Sequence, residues 1–441
     1  MKKALILGYG ISGQAAARLA LHDGYSVTVL DERQPAVPEK YSLIPNWTPA
    51  VPLEKYDIAV ISPGISIHSA MAEAVRKSGT PICGELEFAA TGLPCKIVAI
   101  TGTNGKTTTT ELTTALIQSS GFQCESAGNI GTALSDVALE LKKGVRKLDV
   151  LVVETSSFQL ESMENYVPFS AALLNLASDH INRHGSMKGY ANAKFRLFRK
   201  IDRSEKNCVI NSNIFSDWQE HYPAERPATF SACEKADFYF SEGSLCFRGQ
   251  TIFEWSECPL EGDHNVENVL AALALLRTVA GDEALFAEPI RETLRSFAPD
   301  KHRLECFAEK NGIRYIDDSK ATNPHSVNAA LRTVGAKNNV VLLLGGSDKA
   351  MDFTCIAQDS DKIKQVFICG HAADRIEEDL KDALPCQRLK TFEETVKAAC
   401  NAAEKGDVVL LSPACASFDF FKSYKARGER FQELVNGYLN R

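Results

Sequence analysis

The sequence predicts an α/β protein of about three domains, and three observations carry that prediction. Strand-like apolar runs alternate with helix-like patterns along nearly the whole chain. Two turn-rich breaks divide that alternation. The length of 441 residues exceeds what one hydrophobic core organises.

The alternation comes first. Ala4–Leu7, Ser26–Leu30, Ile58–Ser62, Lys96–Ile100, Leu148–Glu154, Ala171–Asn175 and Cys208–Asn211 read as strands. Arg314–Asp317, Val340–Leu344, Gln365–Cys369 and Val408–Leu411 continue the series. Helical patterns between them imply parallel sheets with helices on both faces. The breaks are Thr91-Gly92-Leu93-Pro94 and Phe297-Ala298-Pro299-Asp300, which predict domains 1–92, 93–298 and 299–441.

Composition narrows the class. Hydrophobic residues make up 44% and charged residues 24%, an ordinary globular balance. A formal net charge of -7 argues against a binder of nucleic-acid backbone. The 13 cysteines form no C-x-x-C pair, which disfavours a disulfide framework or zinc site and fits a reducing, cytoplasmic setting. No run approaches the ~20 apolar residues of a membrane span.

Gly8, Gly10 and Gly13 follow a strand and open a helix, and Asp31 closes the next strand. Alone, that spacing suggests a dinucleotide cofactor. Its physical content is narrower: glycines let backbone approach a ligand, and a helix N-terminus attracts phosphate. A ligand-free tight turn stays open as the plain alternative. Ser62-Pro63-Gly64-Ile65 ends another strand, where open α/β sheets bind ligands.

The second glycine loop is more informative. Thr101-Gly102-Thr103-Asn104-Gly105-Lys106-Thr107-Thr108 follows the strand Lys96–Ile100 and precedes an amphipathic helix reaching about Ser120. Successive N–H groups there converge on phosphate oxygens. Lys106 would reach the β- and γ-phosphates, and Thr107 would ligate Mg²⁺. Ile100 stands where the general G-x-x-x-x-G-K-[ST] pattern has glycine, so the loop is a variant.

Glu154 ends a buried-looking strand beside this loop, a position suited to Mg²⁺ or water. Asp179-His180 follows the next strand, where His180 is a metal candidate or a hydrogen-bonded loop residue. Tyr190, Lys194, Leu197, Phe198 and Ile201 share one predicted helix face, so Lys194 interrupts an apolar stripe. A buried ammonium needs a partner or a change of chemistry. The bland options are a snorkelling side chain or a salt bridge to Glu154. The sharper option is a neutral amine that takes up CO₂ and becomes an anionic Mg²⁺ ligand.

In the last third, three polar loops follow strands: Asp317–Pro324, Gly345–Lys349 and Ser412–Asp419. Three loops on neighbouring strand ends would surround one site. His302-Arg303 lies just before them, where an arginine suits a phosphate. Cys415 has no visible base and reads as structural.

These residues resemble the Mur ligase family over essentially the whole chain. The carriers are Thr101–Thr108, Asn265-x-x-Asn268, Asp179-His180, Lys194 and His302-Arg303. Folylpolyglutamate synthase shares them. Glu154–Glu161, Asp318–Asn323 and Ser412–Ser417 look like the D-glutamate-adding branch, with Lys320 and Thr322 as the distinguishing positions. The resemblance implies a Rossmann-like N-terminal domain, a central P-loop ATPase-like domain and a Rossmann-like C-terminal domain. It implies a monomeric enzyme of peptidoglycan precursor synthesis, using ATP and two Mg²⁺ to join UDP-N-acetylmuramoyl-L-alanine and D-glutamate through an acyl phosphate.

By the same resemblance, Gly10, Ile11, Ser12, Asp31, Glu32, Arg33, Ser62 and Gly64 hold the UDP side, and Gly128 and Asn129 the sugar-peptide. ATP falls to Gly102, Thr103, Asn104, Gly105, Lys106, Thr107, Thr108, Thr109, Asn265, Asn268, His302, Arg303 and Asp318. Lys106, Glu154, His180, Lys194 and Lys320 are the catalytic set, and Thr107, Glu154, His180 and carbamylated Lys194 hold metal. D-Glutamate falls to Thr322, Lys349, Ser417, Phe418 and Tyr424. Two positions depart from the family: Asn182 replaces an acid in the loop after Asp179, and Tyr424 adds a hydroxyl to a packing aromatic. Three other readings stand beside this one: another amide ligase of the family, a nicotinamide-dependent oxidoreductase, and a phosphate-loop module without ligation. Domain closure is expected, because sites on three domains must meet.

Overall fold

The computed structural model describes residues 1–129, 132–201, 204–218, 220, 226–298, 301–347 and 351–440. Among these residues the strands form three sheets of five, nine and six members. The chain folds into two compact units. Met1–Pro259 with Asn265–Phe297 makes the first, and Leu260–His264 with Ala298–Arg441 the second.

The first unit holds two sheets. The N-terminal sheet is wholly parallel and runs β3 (Ser42–Ile44), β2 (Tyr25–Leu30), β1 (Lys2–Leu7), β4 (Ile58–Ile61), β5 (Ile82–Gly84). The chain reverses its direction of travel across the sheet at β1. The Gly8 and Ser62 loops therefore meet there, with Ser62 Oγ donating to the Gly8 carbonyl at 3.2 Å. Helix Ile11–His22 buries Ala15, Ala16 and Ala20, small side chains that allow close packing.

The second sheet is built around β6 (Lys96–Thr101), flanked by β8 (Val150–Glu154) and β9 (Ser170–Leu173). β7 (Cys124–Gly128) lies outside β8, and β10 (Cys208–Asn211) and β11 (Ala228–Ser231) continue beyond β9. All are parallel, and β6, β8, β9 and β10 are fully or almost fully buried, which matches their apolar runs. β12 (Phe238–Ser241) adds in parallel to β11, and β13 (Ser244–Phe247) and β14 (Gln250–Glu254) finish the sheet as antiparallel hairpins. Those three edge strands, together with β7 and β11, have no counterpart among the strands expected from the sequence.

One apolar cluster runs through both sheets' layers, joining Ile6 and Leu19 to Leu134, Val137 and Leu160. Polar contacts reinforce it: Arg18 pairs with Asp136 at 2.8 Å, Lys142 with Asp23 at 2.7 Å, and Glu85 accepts from Ser135 N at 2.8 Å. A shared core is the physical reason these sheets form one unit.

The second unit holds β15 (Glu305–Lys310), β16 (Ile313–Asp317), β20 (Val408–Ala414), β17 (Val340–Gly345), β18 (Ile363–Cys369) and β19 (Cys386–Arg388), in that spatial order. Only the β15–β16 pairing is antiparallel. β16, β20 and β17 are consecutive neighbours, so the three polar loops that follow them leave one edge together. No helix among the described residues is long and apolar enough to cross a membrane.

Candidate functional site

β6 hands the chain to the phosphate loop. Gly105 stands just before helix Lys106–Ser119 in the left-handed region, φ 78°, with the Asn268 carboxamide 2.1 Å from where a Cβ would be. Only glycine fits both conditions. Asn175, just past β9, fastens the loop: its Oδ1 accepts from Thr103 N at 3.0 Å and Asn104 N at 2.8 Å, and its Nδ2 donates to the Asn104 carbonyl at 3.1 Å. The sequence pattern places Asn175 at the end of a strand and does not signal this work. The strand stops at Leu173, which releases Asn175 to turn inward.

Lys106 folds over its own loop, donating to the carbonyls of Gly102 at 3.0 Å and Thr103 at 2.7 Å. Thr107, Thr108 and Thr109 are buried in the first turn. Thr109 Oγ1 bonds Asn268 Oδ1 at 3.3 Å, and Asn268 Nδ2 bonds Asn265 Oδ1 at 3.1 Å. The predicted nucleotide residues of this unit thus form one connected set.

Parallel pairing of Ile100 with Glu154 sets the acid beside the loop. Glu154 is 2% exposed, and accepts from Thr107 Oγ1 and from Asn129 Nδ2, both at 2.8 Å. Asn129, expected to face sugar-peptide, is therefore held on Glu154. Lys194 is 1% exposed, and its Nζ donates to the Gly102 carbonyl at 2.7 Å and reaches Thr101 Oγ1 at 3.5 Å. The salt bridge to Glu154 does not form, because Thr107 and Asn129 occupy that carboxylate. Burial first, and Lys106 second, hold the Lys194 amine well below the ordinary lysine range.

The predicted single helix through Ile201 is corrected. The α-helix is Met187–Phe195, and Arg196–Phe198 tightens into a 3₁₀ turn. Tyr190, Lys194, Leu197, Phe198 and Ile201 are nevertheless all buried. Tyr190's hydroxyl meets Thr103 Oγ1 at 3.1 Å, tying this helix to the phosphate loop.

His180 adopts a left-handed backbone, φ 54°, uncommon for a non-glycine residue and of a kind that collects at functional loops. Its ring lies 4.7 Å from the ring of Phe158. Asp179 is buried and its Oδ1 has no hydrogen-bond partner. Glu154, Thr107, His180 and an anionic Lys194 derivative are hard oxygen and imidazole donors. By donor type these groups and the Asp179 carboxylate suit a divalent cation, although the His, Cys, Asp and Glu group whose ligand atoms already converge among the described residues is His302, Glu305 and Asp317. Asn182 is exposed.

At the N-terminal sheet, Asp31 is 4% exposed and closes its own loop, accepting from Tyr9 N and Arg33 N at 2.9 Å each. Gly10, Ser12 and Glu32 lie at the surface near it, and Ile11 is 80% exposed at the helix start. Gly64 borders open space.

In the second unit, Ser412 Oγ donates to Asp318 Oδ2 at 2.8 Å across neighbouring strands. Burial pushes the Asp318 carboxyl up to about 7. Arg303 Nε is buried without a hydrogen-bond partner. His302 turns inward instead, its Nδ1 2.7 Å from Asp317 Oδ2, so it supports the loop from beneath. The Lys320 ammonium lies 5.3 Å from the centre of the Tyr424 ring. Ser417 is buried, Phe418 is 74% exposed, and Thr322 is half-buried. Lys349 lies outside the described residues. Cys415 is buried.

Arg427 was not foreseen. It is 2% exposed and donates to Ser319 Oγ, the Ser319 carbonyl and the Cys415 carbonyl at 2.9, 2.8 and 3.0 Å, drawing two of the polar loops together. Desolvation lowers its guanidinium to about 10. No sequence spacing signals such a residue, because its partners lie 12 and 108 positions away.

Residues 100–276 match the Mur ligase middle domain, and residues 302–415 match the Mur ligase, glutamate ligase domain. The UDP-N-acetylmuramoylalanine--D-glutamate ligase of Acidobacterium capsulatum is 37% identical, covering 98% of this chain and 96% of that protein. Its counterpart in Nitrosomonas europaea is 33% identical over the same shares. The fold resembles UDP-N-acetylmuramate-alanine ligase of Thermotoga maritima, with TM-score 0.61 and 18% identity over 99% of this chain and all of the other. It also resembles the MurF ligase of that organism, solved with ADP, with TM-score 0.60 and 16% identity over 100% and 96%. Shared sequence over nearly its full length, on the same three-sheet fold, makes this chain a member of the Mur ligase family.

Proposed function

We propose that this chain joins D-glutamate to UDP-N-acetylmuramoyl-L-alanine in an ATP-dependent, Mg²⁺-assisted reaction of peptidoglycan precursor synthesis. The observation that carries the reading is the closed group around the phosphate loop: Lys106, Thr107 and Glu154, with a dehydrated Lys194 amine beside them. The full-length likeness to D-glutamate ligases selects the amino acid.

In this reading the γ-phosphoryl of ATP passes to the alanyl carboxylate, giving an acyl phosphate and ADP. The D-glutamate amine attacks its carbonyl carbon. A tetrahedral intermediate forms, phosphate leaves with the C–O bonding pair, and the amine loses a proton. The loop N–H groups and Lys106 hold the phosphates and offset charge as it moves. Thr107, Glu154, His180 and Lys194, the last as its carbamate, would hold Mg²⁺, which neutralises phosphate charge when bound. Carbamate formation needs a neutral amine, and burial favours that form of Lys194. Asp318 and Arg303 serve the nucleotide. Lys320 helps anchor the substrates, and Thr322, Lys349, Ser417, Phe418 and Tyr424 serve D-glutamate. The N-terminal sheet takes the UDP end, and the domains follow the divisions 1–92, 93–298 and 299–441. The oxidoreductase reading is disfavoured because it leaves the Thr101–Thr108 phosphate loop and its buried partners unexplained.

The test is phosphate release with each substrate omitted in turn, followed by a panel of D-glutamate, L-lysine, diaminopimelate and L-alanine. Release that requires both the UDP-substrate and D-glutamate is expected. Release with neither, or preference for another amino acid, overturns the proposal.

A further inference from the structure

Arg183 lies in the short helix Ile181–His184, directly after His180. Its guanidinium forks onto Glu161, with Nε and Nη2 at 3.0 and 2.8 Å from Oε2. The same Nη2 donates to the Ile65 carbonyl at 3.1 Å. Ile65 ends the Ser62–Ile65 loop of the N-terminal sheet. The guanidinium carbon also lies 4.8 Å from the centre of the Phe158 ring, and that ring is the one packed against His180. Glu161 is anchored in turn by His184, whose Nδ1 is 3.1 Å away. His184 Nε2 is 3.0 Å from Ser157 Oγ.

One side chain therefore touches three things: the substrate loop of the first sheet, the aromatic support of His180, and the helix end carrying Glu161. Resting on the ligase reading above, we propose that Arg183 is a positioning residue that locks the Ser62–Ile65 loop to the His180 end of the central site. The lock sets how far a UDP-linked carboxylate reaches toward the phosphate loop. Arg183 touches no reacting atom. Its effect runs through Ile65 on one side and through Phe158 on the other.

Arginine suits this task and lysine does not. A planar fork can pair with a carboxylate, donate to a carbonyl and lie over a ring at once, whereas an ammonium is a single point. Arg183→Lys keeps the charge opposite Glu161 and loses the reach. Arg183→Gln loses both.

The experiment is titration calorimetry of UDP-N-acetylmuramoyl-L-alanine and, separately, of ADP, on wild type and both variants, with thermal unfolding alongside. The UDP-substrate should bind about tenfold more weakly to Arg183→Lys, with ADP affinity within about twofold and Tm nearly unchanged. Arg183→Gln should weaken the same ligand at least as much. Under saturating substrate, kcat should also fall, since a misplaced carboxylate reacts slowly. Equal weakening of both ligands, or a loss tracking a fall in Tm, would mark Arg183 as merely structural and overturn the inference. Unchanged UDP-substrate affinity and kcat in both variants would overturn it too. If wild type itself binds ADP but not the UDP-substrate, the substrate reading falls and takes this inference with it. If wild type binds both and the variants match it, only the inference falls.

Discussion

Gly8–Gly13 and Gly102–Thr107 each leave the C-terminal end of a buried parallel strand and open a helix. At the first, the nearby carboxylate of Asp31 holds the loop's own amides, and the outward groups are exposed, Ile11 by 80% and the Arg33 side chain by 83%. At the second, residues from strand β8, the segment after β9 and two helices converge: Glu154, Asn175, Tyr190, Lys194 and Asn268. Glycine spacing makes a backbone cradle in both places. Chemistry belongs to the cradle whose neighbours are buried, charged and stripped of water.

That contrast can be broken by substitution, and the largest effect belongs to the second cradle. Lys106→Ala should lower kcat about a thousandfold, since it removes charge where phosphoryl transfer needs it. Calorimetry should show UDP-substrate binding intact in the same variant. If that binding falls as well, the two cradles are not separate in role.

Lys194→Ala comes next, with a loss of about a hundredfold, in line with removal of a metal-site ligand. Short-chain carboxylates should restore part of the activity by supplying the missing oxygens. Labelled bicarbonate should give a carbamate signal in wild type and none in the variant. Full activity in Lys194→Ala would end the carbamate proposal.

Asp31→Asn tests the first cradle. Its amide offers one acceptor oxygen where the carboxylate offers two, so either Tyr9 N or Arg33 N loses its bond. The KM for the UDP-substrate should rise about tenfold with kcat nearly constant. A fall in kcat at constant KM would move Asp31 out of binding and into the chemistry.

A pH dependence tests the second unit. Burial raises Asp318 from 3.8 to about 7, so the folded chain holds that proton more tightly than the unfolded chain. Its contribution to stability is complete below about pH 4 and is lost as pH rises through about 7. Urea unfolding should show wild type losing stability relative to Asp318→Asn between about pH 4 and about pH 7. Parallel curves would mean that Asp318 is ionised throughout.

Much of the site was legible beforehand because it depends on local order. A strand, a glycine turn and a helix start are contiguous, so Gly102–Thr107 could be read directly. Glu154 was legible because it closes an apolar run. Lys194 stood out as a charge among Tyr190, Leu197 and Phe198, although the helix itself stops at Phe195. The roles of Asn175, Arg427 and the orphaned Asp179 oxygen were not legible. Each depends on groups brought up by strand order or by a distant helix, and the same letters in a solvated loop would carry no such role. The edge strands β12–β14 were missed for a related reason, since antiparallel hairpins at a sheet edge lack the long apolar runs of the centre.

By itself, then, the sequence determined the α/β class, the phosphate cradle and its cationic and carboxylate equipment, because periodicity and turn chemistry act over neighbouring residues. Only the tertiary structure decided which groups those equipment residues face. Placing β6 between β8 and β9 brings Glu154 and Asn175 to the loop from either side. A shared core makes the first two sheets one unit. Burial against the Gly102 carbonyl, rather than pairing with Glu154, is what leaves Lys194 a dehydrated amine, since desolvation is a property of packing and not of the residue.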